Sequence, residues 1–304
     1  MNNIYVNPDV RHDFVLLFDV SDGNPNGDPD AGNLPRLDPE TMQGIVTDVC
    51  LKRKVRNYVA IVKADDPKYD IYVKHRGILA NEQKKAYEGA EPSLKPNQKA
   101  QQWMCDHYYD VRMFGAVMTM GKSGQKSGNK ELHWNCGQVQ GPVQMTFARS
   151  VDPIVPLDVS ITRVALTNPD DVGRGDEGDD QAAAGQMGRK AIVPYGLYVG
   201  YGFINPYLGK KTGVSQDDLA LFWEALINMW ELDRSAARGL MSCCGLYIFS
   251  HDNELGRAAA HKLFGCITVK RKEEVVVPRK FADYSISVKD DDIPEGVTLT
   301  ALSV

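Results

Sequence analysis

The chain has 304 residues, 43% hydrophobic and 25% charged, which places it among ordinary globular proteins long enough for one large domain or one domain with sizeable insertions. The longest apolar stretches, such as residues 14–18, are too short to cross a bilayer, and the first dozen residues lack a basic-then-apolar leader, so no membrane association and a cytoplasmic chain with six mostly buried, reduced cysteines are expected. The net charge of −5 opposes a uniformly basic surface, but the charges are segregated: residues 112–149 carry five Lys/Arg against one acid, and residues 170–180 carry six acids against one Arg, which leaves a local polyanion site open.

In chain order, residues 12–20 form a short apolar run ending in turn residues, the pattern of a first strand. Residues 21–35, with three prolines, three glycines and Asn26-Gly27, predict an ordered loop or a set of turns. The spacing of Leu51, Val55, Tyr58, Val59 and Val62 predicts a helix over 47–62, with Lys52, Arg53 and Arg56 together on another face. Residues 63–110 read as a polar, partly helical insertion. From Val111 the chain turns glycine-rich, with Gly121, Gly124 and Gly128 between Lys122, Lys126 and Lys130, a loop pattern.

Residues 139–148 and 160–167 alternate like strands, while residues 168–185 are acidic and apolar-poor, the composition of a flexible loop tip. Strand character resumes at 193–204. Ser215 with Asp218 forms a capping-box pattern ahead of Leu219, Phe222, Trp223, Leu226, Ile227 and Trp230, an amphipathic core helix. Residues 246–249 and 266–269 are further strand candidates. Helices and hairpin-like strand pairs interleave without an internal repeat, which gives an α+β class.

Several constellations suggest chemistry. Residues 22–30, Asp-Gly-Asn-Pro-Asn-Gly-Asp-Pro-Asp, match the opening of a calcium loop, but Asn33 stands at the twelfth position, a strand precedes the loop and two prolines stiffen it. Asn, Asp and Gly build turns equally well. The same acids suit Mg²⁺ for phosphodiester cleavage only if a further carboxylate or His joins them. Cys105, His107, His133 and Cys136 offer two thiols and two imidazoles, a zinc set with non-standard spacing. No Walker loop, dinucleotide fingerprint or nucleophile elbow is present. The basic helix face, the glycine-lysine loop and the run Gly188-Arg189-Lys190 together point to phosphate binding, because glycine admits backbone N–H groups to phosphates that Lys and Arg neutralise.

The strings FVLLFDVSDGNPNGDPDAGNLPR, TDVCLKRKVRNYV, DVRMFG, GPVQMTFARSVDPI, MGRKAIVPYGLYVGYGFI and LFWEALINMWELDRSAARG carry a family resemblance. Over residues 12–268 the chain resembles the backbone subunit of the type I-C CRISPR Cascade surveillance complex, the Cas-seven superfamily (Csd-two subtype). The resemblance implies an α+β fold with a modified RRM-like, ferredoxin-like palm. A helical finger region is inserted at 63–110 and a β-hairpin thumb at 160–194. It implies polymerisation of copies head to tail along CRISPR guide RNA, the guide bases being presented to target DNA. It also implies further Cascade partners: the five-family end-cap, large and small subunits, and a recruited helicase-nuclease.

Carried onto this sequence, the resemblance makes Thr47, Lys52, Arg53 and Arg56 a phosphate-contacting helix, joined by Arg36, Asn24 and Asn26. Lys122, Lys126 and Ser127 become a backbone-cradling loop, and Met187, Arg189 and Lys190 the thumb that wedges between bases. It implies no catalysis and no cofactor, although type III relatives cut RNA with an early-loop aspartate and Asp28 and Asp30 sit in a comparable region. The acidic run, with Asp170, Asp171, Asp176, Glu177, Asp179 and Asp180, suggests contact with a neighbour's basic surface.

Overall fold

The computed structural model describes residues 3–162 and 187–302. Strand β1 (His12–Gly23) is the expected apolar run, extended by three residues, and it is buried on both faces over most of its length. Two short pairs of residues, β2 (Gly27–Asp28) and β3 (Leu34–Pro35), turn the early loop back on itself. After β4 (Gln43–Val46), helix α1 (Asp48–Val62) follows the predicted apolar stripe, burying Leu51, Val55, Tyr58 and Val59 while Val62 stays exposed.

The insertion then folds around a core of its own. Helices α2 (Leu79–Lys85), α3 (Gln98–His107) and α4 (Tyr109–Phe114) lead into β5 (Gly115–Met118), β6 (Lys122–Ser127), β7 (Lys130–His133) and β8 (Gly137–Gln140). Its buried cluster joins Tyr72, Tyr87, Ala100, Met104, Tyr108, Val111, Met118 and Cys136, so it reaches past residue 110. The glycine-lysine segment is a hairpin here, not an open loop. Gly128 at its turn has φ +60°, a conformation glycine adopts without strain.

Strands β9 (Val143–Met145), β10 (Ala148–Pro153), β11 (Leu157–Thr162) and β12 (Met187–Ile204) return the chain to the main sheet. The single strand expected over 139–148 is thus broken into three pieces. A Cβ at Gly141 would lie 2.2 Å from the Phe114 carbonyl carbon, so that stretch passes hard against α4 instead of pairing. Helices α5 (Pro206–Thr212) and α6 (Gln216–Leu232) follow, then β13 (Leu240–His251), α7 (Ala260–Phe264), β14 (Ile267–Arg271), β15 (Tyr284–Val288) and β16 (Val297–Leu302). The capping box is formed as predicted: Asp218 N–H donates to Ser215 Oγ at 3.2 Å, and Ser215 N–H to Asp218 Oδ2 at 2.8 Å.

The main antiparallel sheet runs β16-β13-β1-β12-β10-β4, with β9 and β11 also paired to β12. Register puts Phe14, Leu16 and Phe18 opposite Gly202, Gly200 and Tyr198, on the face covered by α1 and α6. Phe18 stacks between Tyr198 at 5.3 Å and Trp230 at 4.7 Å, which ties β1 and β12 to α6 through three rings. Val15 and Leu17 point the other way, onto α7 and the β14–β15 hairpin. Every residue of β11 is exposed, so β11 and the start of β12 form a two-stranded arm. Residues 163–186, which contain the acidic run and most of the expected thumb, lie outside the described residues.

Candidate nucleic-acid interface

The early loop is tied down from three sides. Asn24 N–H donates to Ala237 O at 2.7 Å, and its Nδ2 donates to Asn33 O at 2.8 Å. Asn26 Oδ1 accepts from Thr47 N–H at 2.9 Å and from Thr47 Oγ1 at 2.8 Å, which fastens the loop to the start of α1. Arg238 Nη1 donates to the carbonyls of Asn24 and Pro25 at 3.4 and 3.3 Å. Close approach is built in, since a Cβ at Gly23 would meet Arg238 O at 1.9 Å and one at Gly27 would meet Asn33 Oδ1 at 2.0 Å.

A second layer holds those ties. Asp233 accepts from Lys54 and pairs with Arg238 Nε at 3.3 Å. Burial lowers the Lys54 pKa and the Asp233 hydrogen bond opposes that, so the pair is a desolvated anchor beneath the loop. Neither Lys54, Asp233 nor Arg238 was singled out from sequence. The only signal was their position inside the family-like strings, because the pairing joins residues 179 positions apart.

Loop and arm meet across a cleft of about 480 Å³ lined by Asn24, Gly32, Asn33, Asp158, Arg189 and Lys190, among others. Ladder pairing sets Asp158 and Arg189 on one face of the arm, with Arg189 3.7 Å from Asp158 and its side chain 82% exposed. Asn24 is only 5% exposed, and its Oδ1 has no partner among the described residues; nor has the buried Nε of Arg36, whose Nη1 reaches Asp28 at 3.5 Å. Unsatisfied polar atoms of this kind are costly to bury, on the order of 1–3 kcal/mol each.

The remaining expected residues are placed differently. Lys52 is 8% exposed and bonded to Asp48 at 3.1 Å, Arg53 donates to Val73 O at 2.7 Å, and Arg56 Nε pairs with Asp110 at 2.8 Å. These cations fasten α1 to the insertion and to its own first turn. Lys122, Lys126 and Ser127 lie on β6, away from the cleft lining, with Lys122 3.3 Å from Glu131. Met187 opens β12 opposite Thr162.

The calcium-like and zinc-like sets do not assemble. Among the described residues no three His, Cys, Asp or Glu side chains gather as a metal site. Asp28 Oδ1 accepts from Asp30 N–H at 3.1 Å, and Asn33 adopts φ +64° as a turn residue. His107 stacks on Trp103 at 3.9 Å and bonds its carbonyl, and burial pushes the Cys105 thiol up to about 11 and Cys136 up to about 12. The six cysteines are free. No helix of the described residues is long and apolar enough to cross a membrane.

The model of the family "CRISPR-associated protein Cas7" matches residues 10–289. The chain belongs to the Cas7 family. A Cas7 protein of Haloferax volcanii is 29% identical over 238 residues, 72% of this chain. That alignment spans 64% of the relative's own length. A solved structure described as "CRISPR RNA-guided surveillance complex, pre-nicking" contains a chain that superposes with TM-score 0.52 at 16% identity, covering 79% of this chain and 78% of that one. At that identity the likeness speaks for the fold, a mixed α+β body on an antiparallel sheet.

Proposed function

We propose that this Cas7-family chain is the backbone subunit of a CRISPR surveillance complex of the type I-C, Csd-two kind. It holds guide RNA by its phosphates and leaves the bases free to pair with target DNA. The observation that carries this reading is the cleft between early loop and arm, where Asn24 of one and Arg189 and Lys190 of the other face a common space. Lys and Arg there supply a sequence-independent grip, and Arg36, whose Nε has no partner among the described residues, lies in the same loop. A guide of variable sequence requires that kind of contact.

The strand order β13-β1-β12-β10, with α1 and α6 on one face, supports an RRM-like palm. The insertion around its own core corresponds to the finger, and the β11–β12 arm to the thumb base. Met187, Lys122, Lys126 and Ser127 extend the RNA surface, while Thr47, Asn26, Lys52, Arg53 and Arg56 hold the loop and helix that carry it. Further copies head to tail, the end-cap, large and small subunits, and a recruited helicase-nuclease complete the assembly. The subunit itself performs no catalysis.

Single-stranded RNA binding measured against salt tests the grip. Replacing Arg189 and Lys190 together by alanine should weaken binding and make the log–log salt slope shallower by about 1.4, the share of two phosphate contacts on a single strand. An unchanged slope would remove the cleft from the interface.

A further inference from the structure

The sheet face opposite α1 and α6 is not wholly covered. Between α7 and β14 on one side and the β9–β10 edge on the other runs a trough of about 690 Å³, within the range of small-ligand sites. Its floor is the middle of the sheet, where Val15 pairs with Tyr201 and Val199 with Arg149 across the ladders. Phe264 of α7 stacks on Tyr201 with ring centroids 4.6 Å apart and planes 23° from parallel. On the opposite rim Phe147 stands 54% exposed in the connection between β9 and β10.

Two features bear on what would enter. Phe147, Tyr201 and Phe264 stand in a partly aliphatic lining over the sheet and offer an apolar surface on which a flat ring can lie. In addition, among the described residues no carboxylate lines the trough, whereas the clefts at Asp158, at Asp152 and at Asp65, Asp66 and Asp70 each carry at least one. In a chain with 40 acidic residues, that spares an approaching phosphodiester from repulsion inside the trough. Arg149 and His261 stand in the lining; the Arg149 guanidinium is held 2.6 Å from Asp38, which lies outside the lining. Hydrogen bonding from Arg149 keeps the Asp38 carboxyl below its ordinary range, so the pair stays ionic.

We propose that this trough is a stacking site for an unpaired nucleobase of single-stranded nucleic acid, with Phe147 and the Tyr201–Phe264 pair as its aromatic walls. The inference builds on the nucleic-acid reading but concerns a separate place and a separate chemistry. Lys190 and Val199 share strand β12, about 30 Å apart at the usual strand rise. The cleft grips phosphates; the trough takes a base face, which every base offers and which therefore tolerates any sequence.

The probes are an oligouridylate and an oligomer of equal length and charge whose sugars are all abasic, bound to the intact chain. Phe147→Ala should weaken the oligouridylate roughly tenfold and leave the abasic oligomer unchanged, the scale expected of one lost base stack. Phe147→Trp should restore binding and show fluorescence quenching by the oligouridylate that the wild-type tryptophans do not show and the abasic oligomer does not cause. Equal losses on both oligomers, no loss on either, or no quenching of the added indole emission in Phe147→Trp would overturn the stacking site. If Phe147→Ala instead changes the mass of nucleic-acid-free protein in solution, the trough seats another copy and the proposal falls. Should the wild type bind neither oligomer, the phosphate grip of the cleft fails together with the stacking site, whereas abasic binding kept alongside oligouridylate binding that ignores Phe147 overturns the stacking site alone.

Discussion

Arg56 Nε sits 2.8 Å from Asp110, a carboxylate 1% exposed that also accepts from Tyr72 N–H at 2.8 Å and Val73 N–H at 3.1 Å. The pair therefore fastens α1, α4 and the 71–73 turn at one point, and Arg56 also lies over the Phe114 ring at 5.3 Å. Removing the cation leaves a buried charge without its partner. Arg56→Ala should lower stability by roughly 3 kcal/mol, read as a shifted denaturation midpoint, with no change in the RNA salt slope of the folded fraction. Arg189 has the opposite surroundings, open to solvent beside a half-exposed Asp158, so its loss should touch binding and spare stability. If Arg56→Ala unfolds at the wild-type midpoint, the ion pair is not the fastening described.

At the scale of elements, the start of β1 and the end of β13 are joined by buried polar side chains rather than apolar ones. His12 Nε2 donates to Asn7 O at 2.8 Å, which leaves Nδ1 to accept from Ser250 Oγ at 2.9 Å. His251 Nδ1 accepts from Arg257 N–H at 2.8 Å, so its Nε2 donates to Asp13 at 2.9 Å. Burial lowers the His12 pKa from 6.5 to about 4, with the nearby His251 adding to the effect and the Asn7 carbonyl and Asp13 opposing it. Because the folded pKa is the lower one, the unfolded chain takes up the proton first. Stability from this residue is complete above pH 6.5 and is lost as pH falls toward 4, by about 3 kcal/mol in all. Urea denaturation between those limits should show that loss in the wild type and a smaller one in His12→Gln. Parallel curves for the two proteins would exclude His12 as the source.

Elements whose signal is local were legible in the sequence. The 3.6-residue stripe gave α1 and α6, and the Ser215–Asp218 pair marked where α6 begins. β1 was legible because both its faces are apolar, although its last three residues read as loop. β15 and β16 were missed although both alternate apolar with polar residues as strands do; β15 closes a hairpin with β14, and only β16 pairs with a distant strand, β13. The site was half legible. Arg189, Lys190 and Asn24 stand out as polar or basic residues in glycine-rich surroundings. That Lys52, Arg53 and Arg56 turn inward depends on where Asp110, Val73 and the insertion come to lie, which helical periodicity does not encode.

For the whole molecule, a chain of net charge −5 serves a polyanion only if its cations are gathered. The described residues place Arg189 and Lys190 in one cleft and keep carboxylates out of the trough on the far face of the sheet. Under the proposed function, each copy adds one grip and register along the guide comes from contact between copies. Arg112 and Asp218 form a buried bidentate pair, 3.0 and 2.7 Å, that fixes the insertion to α6. The pair thus holds the insertion and the sheet together as one body.

Native mass spectrometry of the protein with a single-stranded RNA several grips long tests the central claim most directly. The account predicts a ladder of complexes, each heavier by one chain, on RNA that stays intact with Mg²⁺ present, and a ladder lost when Arg189 and Lys190 are alanine. A single chain per RNA whatever its length, a ladder indifferent to those two residues, or RNA shortened only in Mg²⁺ would contradict it.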